Sequence, residues 1–122
     1  MSDQMYRQQI IDHYKDPRNE GEIVDADVKS KKYNYSCGDE IEVFLKIKDD
    51  KVSDVKYKIR GCAISVAGAS LLSEELMGMS ISEIEKLDNE FIEELMGTKL
   101  TSSRIKCAML GLDAIKEGLK NK

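Results

Sequence analysis

Between Ile41 and Ile59 the chain alternates apolar and polar residues in two runs separated by a short charged turn. No other feature limits the fold as much. Ile41, Val43, Leu45 and Ile47 alternate with Glu42, Phe44, Lys46 and Lys48, which places the two sets on opposite faces of a strand. After Asp49-Asp50-Lys51 the alternation resumes at Val55, Tyr57 and Ile59. Two such runs around a polar turn form an antiparallel hairpin. Lys31 to Ser36 adds a short strand with Tyr33 and Tyr35 on one face.

Helical signals lie on either side of this sheet. Tyr6, Ile10 and Tyr14 recur at helical spacing and predict a helix over Asp3 to Tyr14, ended near Pro17, the only proline. Asp16 to Lys29 is polar and irregular. Beyond Gly61, a small-residue helix runs from Ala63 to Met77 and stops at Gly78. Ser80-Ile81-Ser82-Glu83 reads as a capping box, and Asp88 caps a further short helix that Gly97 ends. Thr101, Ser102 and Ser103 offer N-caps to a last helix whose stripe is Ile105, Met109, Leu112, Ile115 and Leu119. The order predicts an α+β fold: an N-terminal helix, a three-stranded antiparallel sheet, and C-terminal helices on one face of it. At 122 residues this is one domain, 1–122.

A formal net charge of −4, with no run of five basic residues, argues against a nucleic-acid partner. No apolar stretch approaches the ~18 residues of a membrane span. The start, Met1-Ser2-Asp3-Gln4, reads as neither a signal nor a transit peptide, so a cytoplasmic protein with reduced thiols is expected.

The three cysteines then become informative, since an odd number cannot all pair. Cys37 lies in a turn beside Gly38 and Asp39, Cys62 at the junction of hairpin and helix, and Cys107 in the first turn of the last helix. Helix starts favour the thiolate, the form that binds metal and attacks sulfur. With Asp39 the set offers three soft ligands and one hard one, enough for a metal ion or a small iron–sulfur cluster. The bland reading is packing, because Cys107 shares a face with Gly111, Ala114 and Gly118. The cysteine spacing matches no local zinc-finger signature. His13 reads as a surface or boundary residue, Ser36, Ser65, Ser70 and Ser73 as turn or packing residues, and methionines such as Met77, Met79, Met96 and Met109 as core filling. Gly61, Gly68 and Gly78 form no phosphate loop.

Four segments in order carry a specific resemblance. They are Asp16-Pro17-Arg18-Asn19, Cys37-Gly38-Asp39, Gly61-Cys62-Ala63-Ile64-Ser65, and Ile105-Lys106-Cys107-Ala108 leading into Asp113-Ala114-Ile115. The chain resembles, over essentially its full length, the iron–sulfur cluster assembly scaffolds of the IscU, SufU and NifU N-terminal group. That resemblance implies that Cys37, Cys62 and Cys107 hold a labile [2Fe–2S] cluster or a zinc ion, with Asp39 supporting lability or completing zinc coordination. It further implies a scaffold rather than an enzyme. Its partners would be a pyridoxal-phosphate cysteine desulfurase and apo-protein or carrier acceptors, with Cys107 accepting the persulfide.

The chain departs from the family pattern in three places. Lys106 stands where IscU-type scaffolds carry histidine, as in the SufU type, and it is assigned no ligand role. The SufU-type insertion ahead of the last cysteine is missing. Leu100-Thr101-Ser102-Ser103-Arg104 lacks both prolines of the IscU motif read by a dedicated Hsp70-type chaperone, so the resemblance does not extend to that partner. Two other readings stand beside the scaffold: a zinc-dependent sulfurtransferase relaying persulfide sulfur, and a small protein-binding domain whose cysteines are incidental.

Overall fold

A computed structural model describes residues 3–36 and 38–121, with side chains from residue 7 onward. The element order is α1 (Asp3–Lys15), β1 (Val28–Asn34), β2 (Asp39–Lys48), β3 (Lys51–Arg60), α2 (Ala63–Leu76), α3 (Ile81–Glu85), α4 (Asn89–Met96) and α5 (Ser102–Lys120). The strands form one antiparallel sheet in the order β1-β2-β3. This is the α+β architecture that the alternation predicts.

β1 starts at Val28, three residues earlier than expected. Val28 is buried opposite Leu45, and the Asp27 amide donates to the Leu45 carbonyl at 2.8 Å. Backbone pairing fixes this strand, so the polar run Lys29-Ser30-Lys31-Lys32 shows little of it in sequence. It ends at Asn34, whose carbonyl accepts from Gly38 N at 2.8 Å and whose Oδ1 accepts from Ser36 N at 3.2 Å. Tyr35 therefore belongs to the turn, although its ring stacks on Tyr33 with centroids 5.8 Å apart.

The β2–β3 turn is tight, with Asp49 and Asp50 both left-handed at φ 54° and 66°. That geometry favours Asn-Gly and strains other side chains. Replacing the pair by Asn-Gly is expected to raise stability by on the order of 1 kcal/mol, measured as a higher urea midpoint.

α2 and α5 pack on each other and cover one face of the sheet, burying Ile41, Val43, Leu45, Val55 and Tyr57 beneath Leu72, Leu112 and Ile115. The two helices approach closely at Gly68, where an added Cβ would stand 3.2 Å from the Ala108 carbonyl oxygen. Gly111 faces Ile41 and Leu72, so the small-residue face of α5 does pack inward. The expected caps form: the Ser80–Glu83 box, Asp88 to Phe91 N at 3.3 Å, a left-handed Gly97, and Thr101 to Arg104 N at 3.4 Å. Met96 and Met109 are core residues as expected, whereas Met77 is exposed at the α2 C-cap.

His13 corrects the expectation of a surface or boundary residue, for it is buried under the α1–α2 contact. Its Nδ1 lies 2.6 Å from Ser70 Oγ, which also accepts from Arg18 N at 2.9 Å. Asn19 Nδ2 donates to Ser73 Oγ at 3.0 Å. The buried serines of α2 thus anchor the segment after α1. Burial, and then the Arg18 charge, hold the imidazole below its usual 6.5, against the opposing pull of Glu74. The folded state therefore prefers the neutral ring. Stability is complete above pH 6.5 and declines as pH falls towards the lower folded value, because the unfolded chain binds the proton first. Thermal unfolding between pH 7.5 and 5 should show this decline, and His13→Gln should flatten it.

Candidate metal and cluster site

The chemistry gathers where β2 begins, β3 ends and the N-terminal half of α5 passes. Asp39 opens β2, Cys62 is the N-cap of α2 immediately after β3, and Cys107 lies on α5. One ligand atom from each, a carboxylate oxygen and two Sγ, lie within 4.8 Å of one another. Tetrahedral zinc, with Zn–S about 2.3 Å, needs ligand atoms roughly 3.8 Å apart. The 4.8 Å limit on the three atoms is within about 1 Å of that spacing. The donor set therefore fits a thiophilic metal with one hard ligand.

Cys62 occupies the position expected of it, with extended φ and ψ of −73° and 170° and no side-chain capping bond of its own. The residue is exposed, and its sulfur lies 3.5 Å from Ser65 Oγ. Cys107 departs from expectation: α5 starts at Ser102, so Cys107 falls in the second turn, buried beside the small-residue face. Thr101 caps the helix earlier than the Cys107 reading assumed. Its burial agrees with the packing reading, and its sulfur also lies in the cluster with Asp39 and Cys62. Cys37, the third expected thiolate, lies outside the described residues.

Asp39 is buried and accepts from the Ser65 hydroxyl at its Oδ2. Gly61 packs on the same carboxylate, where an added Cβ would come within 2.8 Å of Asp39 Cγ. Asn34 directs its Nδ2 at Cys107 Sγ, 4.0 Å away. Ser65 and Asn34 were not read as site residues from sequence. Only Ser65 carried a signal, since it follows Cys62 by three residues at a helix start and so turns back over it.

Beside the triad a cleft of about 400 Å³ opens between the end of β1 and α5, lined by Lys32, Tyr33, Asn34, Lys106, Met109 and Asp113. Asn34 and Lys106 both adjoin Cys107, so this cleft reaches the site's edge. Burial raises the Asp113 carboxyl, and Lys32 and Lys116 temper that shift. Among the described residues no helix is long and apolar enough to cross a membrane.

Residues 5–121 match the family described as NifU-like N terminal domain. The zinc-dependent sulfurtransferase SufU of Bacillus subtilis is 37% identical, covering 96% of this chain and 90% of its own. That alignment spans 134 positions against a chain of 122, so the relative carries residues that this chain lacks. The iron–sulfur cluster assembly scaffold protein IscU 1 of Archaeoglobus fulgidus is 33% identical, over 94% of this chain and 74% of its own. Among solved structures, a candidate iron–sulfur cluster assembly scaffold for the SUF system from Fervidobacterium islandicum superposes with a TM-score of 0.79. It is 27% identical, covering 97% of this chain and 99% of that one. A family match over residues 5–121 and relatives 33–37% identical over more than nine-tenths of the chain thus agree with the fold, and the chain belongs to the IscU/SufU/NifU N-terminal family.

Proposed function

We propose that this domain is an iron–sulfur cluster assembly scaffold. It would take persulfide sulfur from a pyridoxal-phosphate cysteine desulfurase, assemble a labile [2Fe–2S] cluster as cargo, and pass it to apo-proteins or carriers in the cytoplasm. The observation that carries the reading is the convergence of Asp39, Cys62 and Cys107 within 4.8 Å from three separate elements. Cys37, two residues before Asp39, would supply the third thiolate. Stable clusters commonly rest on four thiolates, so three with one carboxylate describe a site that binds and releases.

Cys107 is our choice for persulfide acceptor. It is buried beside a cleft whose lining includes Lys106 and Asn34. A desulfurase loop seated in that cleft would meet Asn34, whose Nδ2 points at Cys107 Sγ, and burial would shelter the product from stray thiols. In the transfer, the Cys107 thiolate attacks the terminal sulfur of the desulfurase persulfide, a new S–S bond forms, and the desulfurase cysteine leaves as thiolate.

A second reading has its own support in the 37% identity to a zinc-dependent sulfurtransferase and in Lys106. In that case zinc on Cys37, Asp39, Cys62 and Cys107 would organise the site, and the domain would relay sulfur without building a cluster. One experiment separates the two. Anaerobically reconstituted protein is mixed with an apo-[2Fe–2S] acceptor, and the acceptor's visible circular dichroism is followed. Growth of the acceptor signal supports the scaffold. Desulfurase stimulation that depends on zinc, without such growth, supports the relay.

A further inference from the structure

Resting on the reading of Asp39 as a ligand, we infer that Ser65 is a positioning residue for the site and that Gly61 is its structural counterpart. The Asp39 carboxylate is held from two sides. Ser65 Oγ donates to Oδ2, and the bare Cα of Gly61 packs against the same group, leaving no room for a side chain. Ser65 is itself buried on the first turn of α2, so its hydroxyl cannot turn to solvent. A hydroxyl carries a single proton. While that proton serves Oδ2, the hydroxyl fixes how the carboxylate is turned relative to the two thiols.

The same hydroxyl lies 3.5 Å from Cys62 Sγ, so Ser65 touches two proposed ligands at once. Partners in this outer position orient ligands, and their loss commonly weakens metal binding 10–100-fold. Packing alone does not account for Ser65, because alanine would fill nearly the same space without reaching the carboxylate.

The test uses zinc affinity by chelator competition on the full chain, for wild type, Ser65→Ala, Asp39→Ala and the double variant. Far-UV circular dichroism confirms folding of each. Ser65→Ala is expected to weaken zinc about 10–100-fold, and to cost much less once Asp39 is alanine, when only the weaker Cys62 contact remains. Ser65→Thr, which keeps the hydroxyl, is expected to restore affinity. Gly61→Ala leaves the hydroxyl intact but displaces the carboxylate. It is therefore expected to weaken zinc as well, with Ser65 untouched. Wild-type affinity in Ser65→Ala would overturn the positioning role, and an equal loss in the Asp39→Ala background would overturn positioning through the carboxylate; either leaves the metal site standing. Wild-type affinity in Asp39→Ala would remove Asp39 from the ligand set and overturn both.

Discussion

Serine at position 107 is expected to abolish sulfur acceptance from a desulfurase. It should also weaken zinc by more than the 10–100-fold typical of losing an outer partner. Both effects come from one atom. Cys107 Sγ is a member of the acid–thiol cluster and adjoins the cleft lined by Lys106 and Asn34. A serine hydroxyl neither forms a persulfide nor matches a thiolate as a soft ligand. Mass spectrometry after incubation with desulfurase and cysteine reads the first effect, as a loss of the +32 Da adduct (about one sulfur) relative to wild type. Full acceptance by Cys107→Ser would move the acceptor role to another cysteine without disturbing the scaffold reading.

Gly68→Val is expected to lower stability and to loosen the site at the same time. The added Cβ would meet the Ala108 backbone at 3.2–3.3 Å, and backbone within a helix does not swing aside as a flexible side chain does. Overpacking of this kind costs about 1–3 kcal/mol, and valine adds a branched side chain within a helix. A function follows from the packing. α2 begins at Cys62 and α5 carries Cys107, so forcing the helices apart also separates two thiols. Urea unfolding should show a lower midpoint, and zinc affinity should fall with it. Gly68→Ala, which adds only the Cβ, should show a smaller version of both. Unchanged stability in the valine variant would mean that the helix contact yields freely and does not set the site's spacing.

Much of this architecture is legible in the chain because it depends on local periodicity. Ile41 to Ile59 declares a hairpin, and Ser80, Asp88, Gly97 and Thr101 mark helix ends through the same side-chain bonds and backbone angles that the structure contains. Features set by long-range contact are harder to read. β1 begins at Val28 because β2 pairs with it, which the polar run after Val28 conceals. His13 is buried because Ser70, 57 residues later, receives it. Asp39, Cys62 and Cys107 could be nominated from their residue types and neighbours. Their convergence, and the clamp of Ser65 and Gly61 on the carboxylate, exist only once the hairpin and the helix pair are assembled. The helix start before Cys107 was misplaced because three capping residues, Thr101, Ser102 and Ser103, stand in a row, and the first of them is the one used.

The most direct test of the central claim is the Mössbauer spectrum of the apoprotein after anaerobic incubation with ⁵⁷Fe(II), cysteine and a desulfurase. The account predicts the quadrupole doublets of a [2Fe–2S]²⁺ cluster, at about one cluster per monomer or dimer, lost on treatment with chelator. A folded protein that shows only unbound or mononuclear iron under these conditions would contradict the scaffold and leave the zinc-dependent sulfur relay as the function of the same site.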